Sequence, residues 1–136
     1  MGAQIPINSL EVAATFKAMP LPVRQKLLDI RSLIYELAAS NASIGTLEEC
    51  LKWGEVSYLT KKPKSGTTIR LGYKTASNQY AIYVSCQTSL IQNFRETHGH
   101  ALKFEKNRAI LFDETEIFPA PLVEKFLTNA LTYHLK

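Results

Sequence analysis

The chain has 136 residues, a formal charge of +4 and 46% hydrophobic residues, which fits one globular domain with a real core and excludes a disordered or fibrous chain. Eight basic and six acidic residues fall up to Lys64 and the remainder repeats that balance, so there is no basic arm built for phosphate backbones. Two cysteines, Cys50 and Cys86, are too few for a disulfide scaffold and lack metal-ligand spacing; with no signal-like segment or bilayer-length apolar run, a cytosolic protein with reduced thiols is expected.

Met1 to Ile7 reads as a lead-in. Asn8 with Glu11 three residues later is a capping-box variant, and predicts a short helix through Val12, Phe16 and Met19, stopped at Pro20. Pro22 suits the first turn of a second helix. There Val23, Leu27, Ile30, Ile34 and Leu37 repeat at spacings of four and three and form one apolar stripe, with Arg24, Lys26, Arg31 and Glu36 expected on the solvated side. Asn41 to Gly45 reads as the exit loop.

From Thr46 the pattern turns to strands. Leu47 to Trp53 and Val56 to Thr60 flank a bend at Gly54, and Lys61 to Gly66 is a loop with Pro and Gly. Thr67 to Lys74 and Gln79 to Cys86 are the best strands, joined by the turn Thr75 to Asn78. Alternate side chains of a strand point to opposite faces. Ile69, Leu71 and Tyr73 therefore share a core face with Tyr80, Ile82 and Val84. Arg70, Gly72 and Lys74, with Ala81, Tyr83 and Ser85, fall on the other, which an antiparallel sheet covered on one side leaves open.

Thr88 is a plausible N-cap for a third helix through Leu90, Ile91 and Phe94, with Gly99 supplying a left-handed end. Leu102 to Glu105 and Ala109 to Phe112 predict a hairpin about Asn107, a residue that tolerates positive φ. Pro119 and Pro121 introduce a closing helix whose apolar face runs from Leu122 to His134. The assembly predicts a single α+β domain over residues 1–136. It is a two-layer sandwich with helices on one face of a mostly antiparallel sheet; the core spans 22–134, after a lead-in and short helix over 1–21.

The stretch around Glu49, Lys52-Trp53-Gly54 and Tyr58 resembles the YdhG-like family, a domain of unknown function. The likeness continues through Gly66 to Arg70, Tyr83, Cys86-Gln87-Thr88, Phe94-Arg95, Phe104-Glu105, Asn107 to Ile110, and Leu131 to His134. Val56 departs from it, because many members have a proline there. The resemblance implies a compact α+β fold similar to frataxin and, for some members, an iron-chaperone role. The acidic residues available for iron, Glu11, Asp29, Glu36, Glu48, Glu49 and Glu55, are interspersed with Lys17, Arg24, Lys26, Arg31 and Lys52, whereas iron favours carboxylates that are not neutralised.

No nucleophile elbow, phosphate loop or metal cage is present, so no catalytic residue is assigned and no cofactor is expected. Glu96, His98 and His100 straddle a helix end and do not aim reliably at one ion. Cys86 is expected on the apolar side of its strand and His134 packed beside the last helix. Trp53 and Tyr58 either pack in the core or line a pocket with Lys52 or Arg70. Arg70 and Tyr83, on adjacent strands of the open face, place an anion hook beside an aromatic platform, unless Arg70 is an ion pair with Glu105. Arg95 joins this set through the resemblance. The expected function is a non-enzymatic binding module for a small ligand, a metal ion or a protein partner. Nucleic acid or nucleotide on the basic sheet face, with Lys74 and Lys103, is the alternative.

Overall fold

A computed structural model describes residues 5–135; Met1 to Gln4, the start of the expected lead-in, and Lys136 lie outside the described residues. Helix α1 (Leu10–Lys17) is followed by α2 (Leu21–Ser40) and then by β1 (Thr46–Lys52), β2 (Glu55–Lys61), β3 (Ile69–Lys74) and β4 (Gln79–Tyr83). Helix α3 (Leu90–His98) connects β4 to the hairpin β5 (Lys103–Glu105) and β6 (Ala109–Asp113), and α4 (Ala120–Leu131) closes the chain. The six strands form one antiparallel sheet in the order β1-β2-β3-β4-β6-β5. The fold is α+β, and no helix among the described residues is long and apolar enough to cross a membrane.

The helical layer forms where apolar spacing demands it. Val23, Leu27, Ile30 and Ile34 of α2 are fully buried, as the stripe predicts. Val12 and Phe16 of α1, Leu90, Ile91 and Phe94 of α3, and Val123, Phe126, Leu127, Ala130 and Leu131 of α4 join them. They pack on the inward side chains Val56, Tyr58, Ile69, Leu71, Tyr80, Ile82, Ile110 and Phe112 of the sheet in one core. Truncating one of the buried isoleucines to alanine costs about 2–5 kcal/mol.

Local chemistry departs from the sequence expectations at several ends. Ser9 rather than Asn8 caps α1, its hydroxyl accepting from the Val12 amide at 3.2 Å. Ser89 rather than Thr88 sits at the N-cap of α3, and the Thr88 hydroxyl instead donates to the Ser85 carbonyl. Gly99 is right-handed at φ −62°, and the positive φ of the β5–β6 turn belongs to Lys106, not Asn107. Strand β3 begins at Ile69 and β4 ends at Tyr83, both shorter than the alternation suggested. Cys86 is accordingly beyond the strand and exposed, and His134 lies past the end of α4 and is exposed.

Arg31 is the largest correction. It is buried in α2, one residue on from Ile30 and four from Leu27, at the flank of the apolar stripe. Its Nε lies 2.5 Å from Glu49 Oε2 and its Nη2 lies 3.1 Å from Oε1, a bidentate pair with side chains 3% and 8% exposed. The same guanidinium donates to the carbonyls of Ile5 at 2.6 Å and Pro6 at 3.0 Å, fastening the segment before α1. The Tyr58 hydroxyl donates to Glu49 at 2.7 Å, and the Tyr35 ring lies edge-on to Tyr58 with Arg31 over it. Burial pushes the Tyr58 hydroxyl far above its ordinary pKa, with the Glu49 charge adding to the effect. This tyrosine is a fixed hydrogen-bond donor.

Candidate ligand-binding groove on the open sheet face

Lys52 pairs with Glu55 across a two-residue turn in which Trp53 (φ 52°) and Gly54 (φ 78°) are both left-handed. Two positive φ angles match the type I′ hairpin, whose twist suits the flanking strands and whose favoured residues are Asn and Gly. Gly54 meets that demand; Trp53 does not, and a bulky side chain there costs on the order of 1 kcal/mol. The indole is 85% exposed. It is neither core nor Tyr58's neighbour.

The register then separates the two halves of the Glu49–Tyr58 stretch. Glu49 faces Tyr58 on the helical side of the sheet, where both belong to the Arg31 network. On the other side, Cys50, Ser57, Arg70, Tyr83, Ala109 and Glu105 lie in one row across the six strands. Lys52 opposite Glu55, and Gly72 opposite Ala81, lie beside it on the same face. Of the residues singled out by sequence, Lys52, Trp53, Arg70 and Tyr83 come together here. Tyr58 is on the opposite face. Arg95 is elsewhere: it stacks on Phe104 and bonds Asn107 and the Lys106 carbonyl at the tip of the β5–β6 turn.

Arg70 is the centre of the group. Its guanidinium carbon lies 5.4 Å from the Trp53 ring centre and 5.8 Å from that of Tyr83, a cation between two aromatic rings. Its ion pair runs to Glu55 at 3.6 Å, not to Glu105. Glu105 is taken by Lys74 at 2.6 Å, with Arg108 Nη2 at 3.9 Å from Oε1, a buried oxygen that has no hydrogen-bond partner. Gly72 leaves the room beneath: a Cβ there would meet the Tyr83 ring at 2.8 Å and a Glu55 oxygen at 3.0 Å, so either side chain would have to shift.

The electrostatics follow from this crowding. Burial raises the Glu55 carboxyl, against the pull of Arg70 and Arg108. The Lys74 hydrogen bond holds Glu105 below the usual carboxylate range. Burial, with Glu55 nearby, raises the Tyr83 hydroxyl. Between Trp53 and the loop after β4 lies a groove of about 370 Å³ lined by Lys52, Trp53, Thr68, Arg70, Ser85 and Arg108, among others. Three cations, three hydroxyl side chains and an indole line one space. Arg108 and Glu55 were not legible as partners of this site from spacing, because Arg108 is brought in by the loop that follows β5, where its carbonyl accepts from the Val84 amide.

The acidic residues do not converge. Glu49 is paired with Arg31, Glu48 with Lys61 at 2.5 Å and Glu55 with Arg70, and the first faces away from the other two. Among the described residues no group of three or more His, Cys, Asp or Glu could hold a metal ion. His98 stacks on Phe94 and its Nδ1 shares a hydrogen bond with the Thr97 hydroxyl. Comparison with family models, curated proteins and solved structures finds no match to this chain.

Proposed function

We propose that the chain is a non-enzymatic binding module of YdhG-like type, acting in the cytosol, whose open sheet face takes a small ligand with an anionic group. One observation carries the reading. Arg70 is fixed between Trp53 and Tyr83, and Lys52 and Arg108 stand at the same groove. A strained, exposed tryptophan beside clustered cations contributes little to folding and offers an apolar wall with a few placed polar groups.

The rival readings find less support. A nucleic-acid track needs free cations along the face, but Lys74 is held by Glu105, and Lys103 by Asp113 and Glu116. Iron needs converging carboxylates, and those of the Glu48–Glu55 region are each paired with a base.

Thermal melting with and without inorganic phosphate, carboxylate metabolites, nucleotides and ferrous ion tests the proposal, since a ligand bound only to the native state raises the melting temperature. Anions are expected to raise it, and Arg70→Gln to abolish the shift. A shift with ferrous ion alone would replace this reading with metal binding. No shift with any of them would move it to a protein partner.

A further inference from the structure

We infer that the groove takes a mononucleotide, with one phosphate among Lys52, Arg70 and Arg108 and the base stacked on Trp53; the inference rests on the anion-binding reading above. Three features of the site narrow the ligand to this class.

The first is the indole. With Arg70 against one face and the side chain still 85% exposed, Trp53 presents its remaining surface to solvent at the rim of a cationic groove. A bare oxyanion would make no use of it. A planar heterocycle would, because base–aromatic stacking is favourable whichever base is presented.

The second is the reach of the positive charge. Lys52, Arg70 and Arg108 meet at one end of the face, where the carboxylate partners stand off, Glu55 at 3.6 Å from Arg70 and Glu105 at 3.9 Å from the half-exposed Arg108. Toward the other end the basic residues are held more tightly, Lys74 by Glu105 at 2.6 Å and Lys103 by Asp113 and Glu116. The cations therefore form a spot, not a track. One phosphate group is satisfied; a backbone with successive phosphates is not.

The third is size and lining. A space of about 370 Å³ lies at the small end of the range for ligand pockets. Thr68 and Ser85 line the same space, where the hydroxyls of a ribose would meet theirs.

The chain holds one tryptophan, so its fluorescence reports on this residue alone. The native chain is titrated with adenosine monophosphate, adenosine, inorganic phosphate and a short oligodeoxyadenylate, with calorimetry in parallel. The monophosphate is expected to quench Trp53 and to bind at least about tenfold more tightly than adenosine or phosphate. Arg108→Gln, at a half-exposed position, is expected to bring the monophosphate down to the affinity of adenosine without lowering the melting temperature. Trp53→Asn, followed by calorimetry, is expected to bring it down to the affinity of phosphate.

Adenosine or phosphate binding as tightly as the monophosphate would overturn the inference. So would an oligonucleotide binding more than about tenfold more tightly with a steep salt dependence, the mark of a strand site. If phosphate or another anion gives an Arg70-dependent melting shift while no nucleotide quenches Trp53, the inference fails and the anion-binding reading stands. If no anion does either, both fail together.

Discussion

Replacing Arg31 with methionine keeps an unbranched stem of similar reach and removes the guanidinium. Glu49 then loses both of its bonds to Arg31, at 2.5 and 3.1 Å, and the carbonyls of Ile5 and Pro6 lose their donor. What remains is a carboxylate with an 8% exposed side chain, left with tyrosine hydroxyls and no cation. Stranding one member of a buried ion pair costs about 3–5 kcal/mol. For a domain of this length 1 kcal/mol shifts the melting temperature by roughly 3–4 °C, so a loss on the order of 10–20 °C is expected. Scanning calorimetry at neutral pH measures it. The double variant Arg31→Met/Glu49→Leu removes the stranded charge and is expected to recover part of the loss, since apolar replacement of a whole buried pair is often tolerated. A single-variant loss below about 3 °C, or a double variant that merely adds the two single losses, would refute the reasoning.

Other outcomes follow from the open face. Trp53→Asn is expected to leave the fold intact and to raise stability by a fraction of about 1 kcal/mol, the relief of the left-handed turn residue exceeding the lost cation–π contact with Arg70; chemical denaturation would decide the sign. Glu55 has a carboxyl raised by burial, so its protonated form is favoured on folding. Its contribution is fully present below the ordinary carboxylate value and is lost as pH rises through the raised one. Glu55→Gln should flatten the stability profile just above pH 4.5 and strengthen anion binding at neutral pH by releasing Arg70 from its 3.6 Å partner. Glu105 has the opposite sign. Its carboxyl is held down by Lys74, so its contribution is present above pH 4.5 and lost as pH falls through the lowered value, a loss that Glu105→Gln should remove from the acid limb. Finally, exposed Cys86 should alkylate faster than half-buried Cys50, and mass spectrometry of the partly labelled chain reads the order.

The periodic parts of the fold were legible because burial repeats with the period of the element. The α2 stripe and the alternation of β3 and β4 place the core and the open face, and Arg70 beside Tyr83 follows from that alternation. Arg31 was missed because a charge at the flank of a stripe reads as solvated. The signal that could have found it was its partner: Glu49 falls between Leu47 and Leu51 in the inward register of β1, and an acid in that register calls for a buried base. Trp53 stayed open between core and pocket for a related reason. Counting alternation through Leu47, Leu51 and Trp53 puts the indole inward, but the strand ends at Lys52 and the turn carries the side chain out. Arg108 depended on how a loop returns to β4, which no local period encodes.

A single hairpin therefore carries two jobs on its two faces. On the inside, Glu49 and Tyr58 lock β1 and β2 to α2 through Arg31, at the cost of burying a charge pair that an apolar pair could have replaced. On the outside, the same two strands hold Trp53 in a conformation that asparagine would adopt more readily. A turn anchored by so rigid a base can keep an exposed aromatic at a fixed place relative to Arg70, and a fixed platform loses less entropy when a ligand stacks on it. Weakening the inner lock without unfolding the chain should then loosen the outer site. The conservative variant Tyr58→Phe, which removes only the hydroxyl bonded to Glu49, is expected to weaken anion binding while leaving every groove-lining residue in place, read by calorimetric titration beside the native chain. Unchanged affinity in that variant would mean that the two faces of the hairpin are independent.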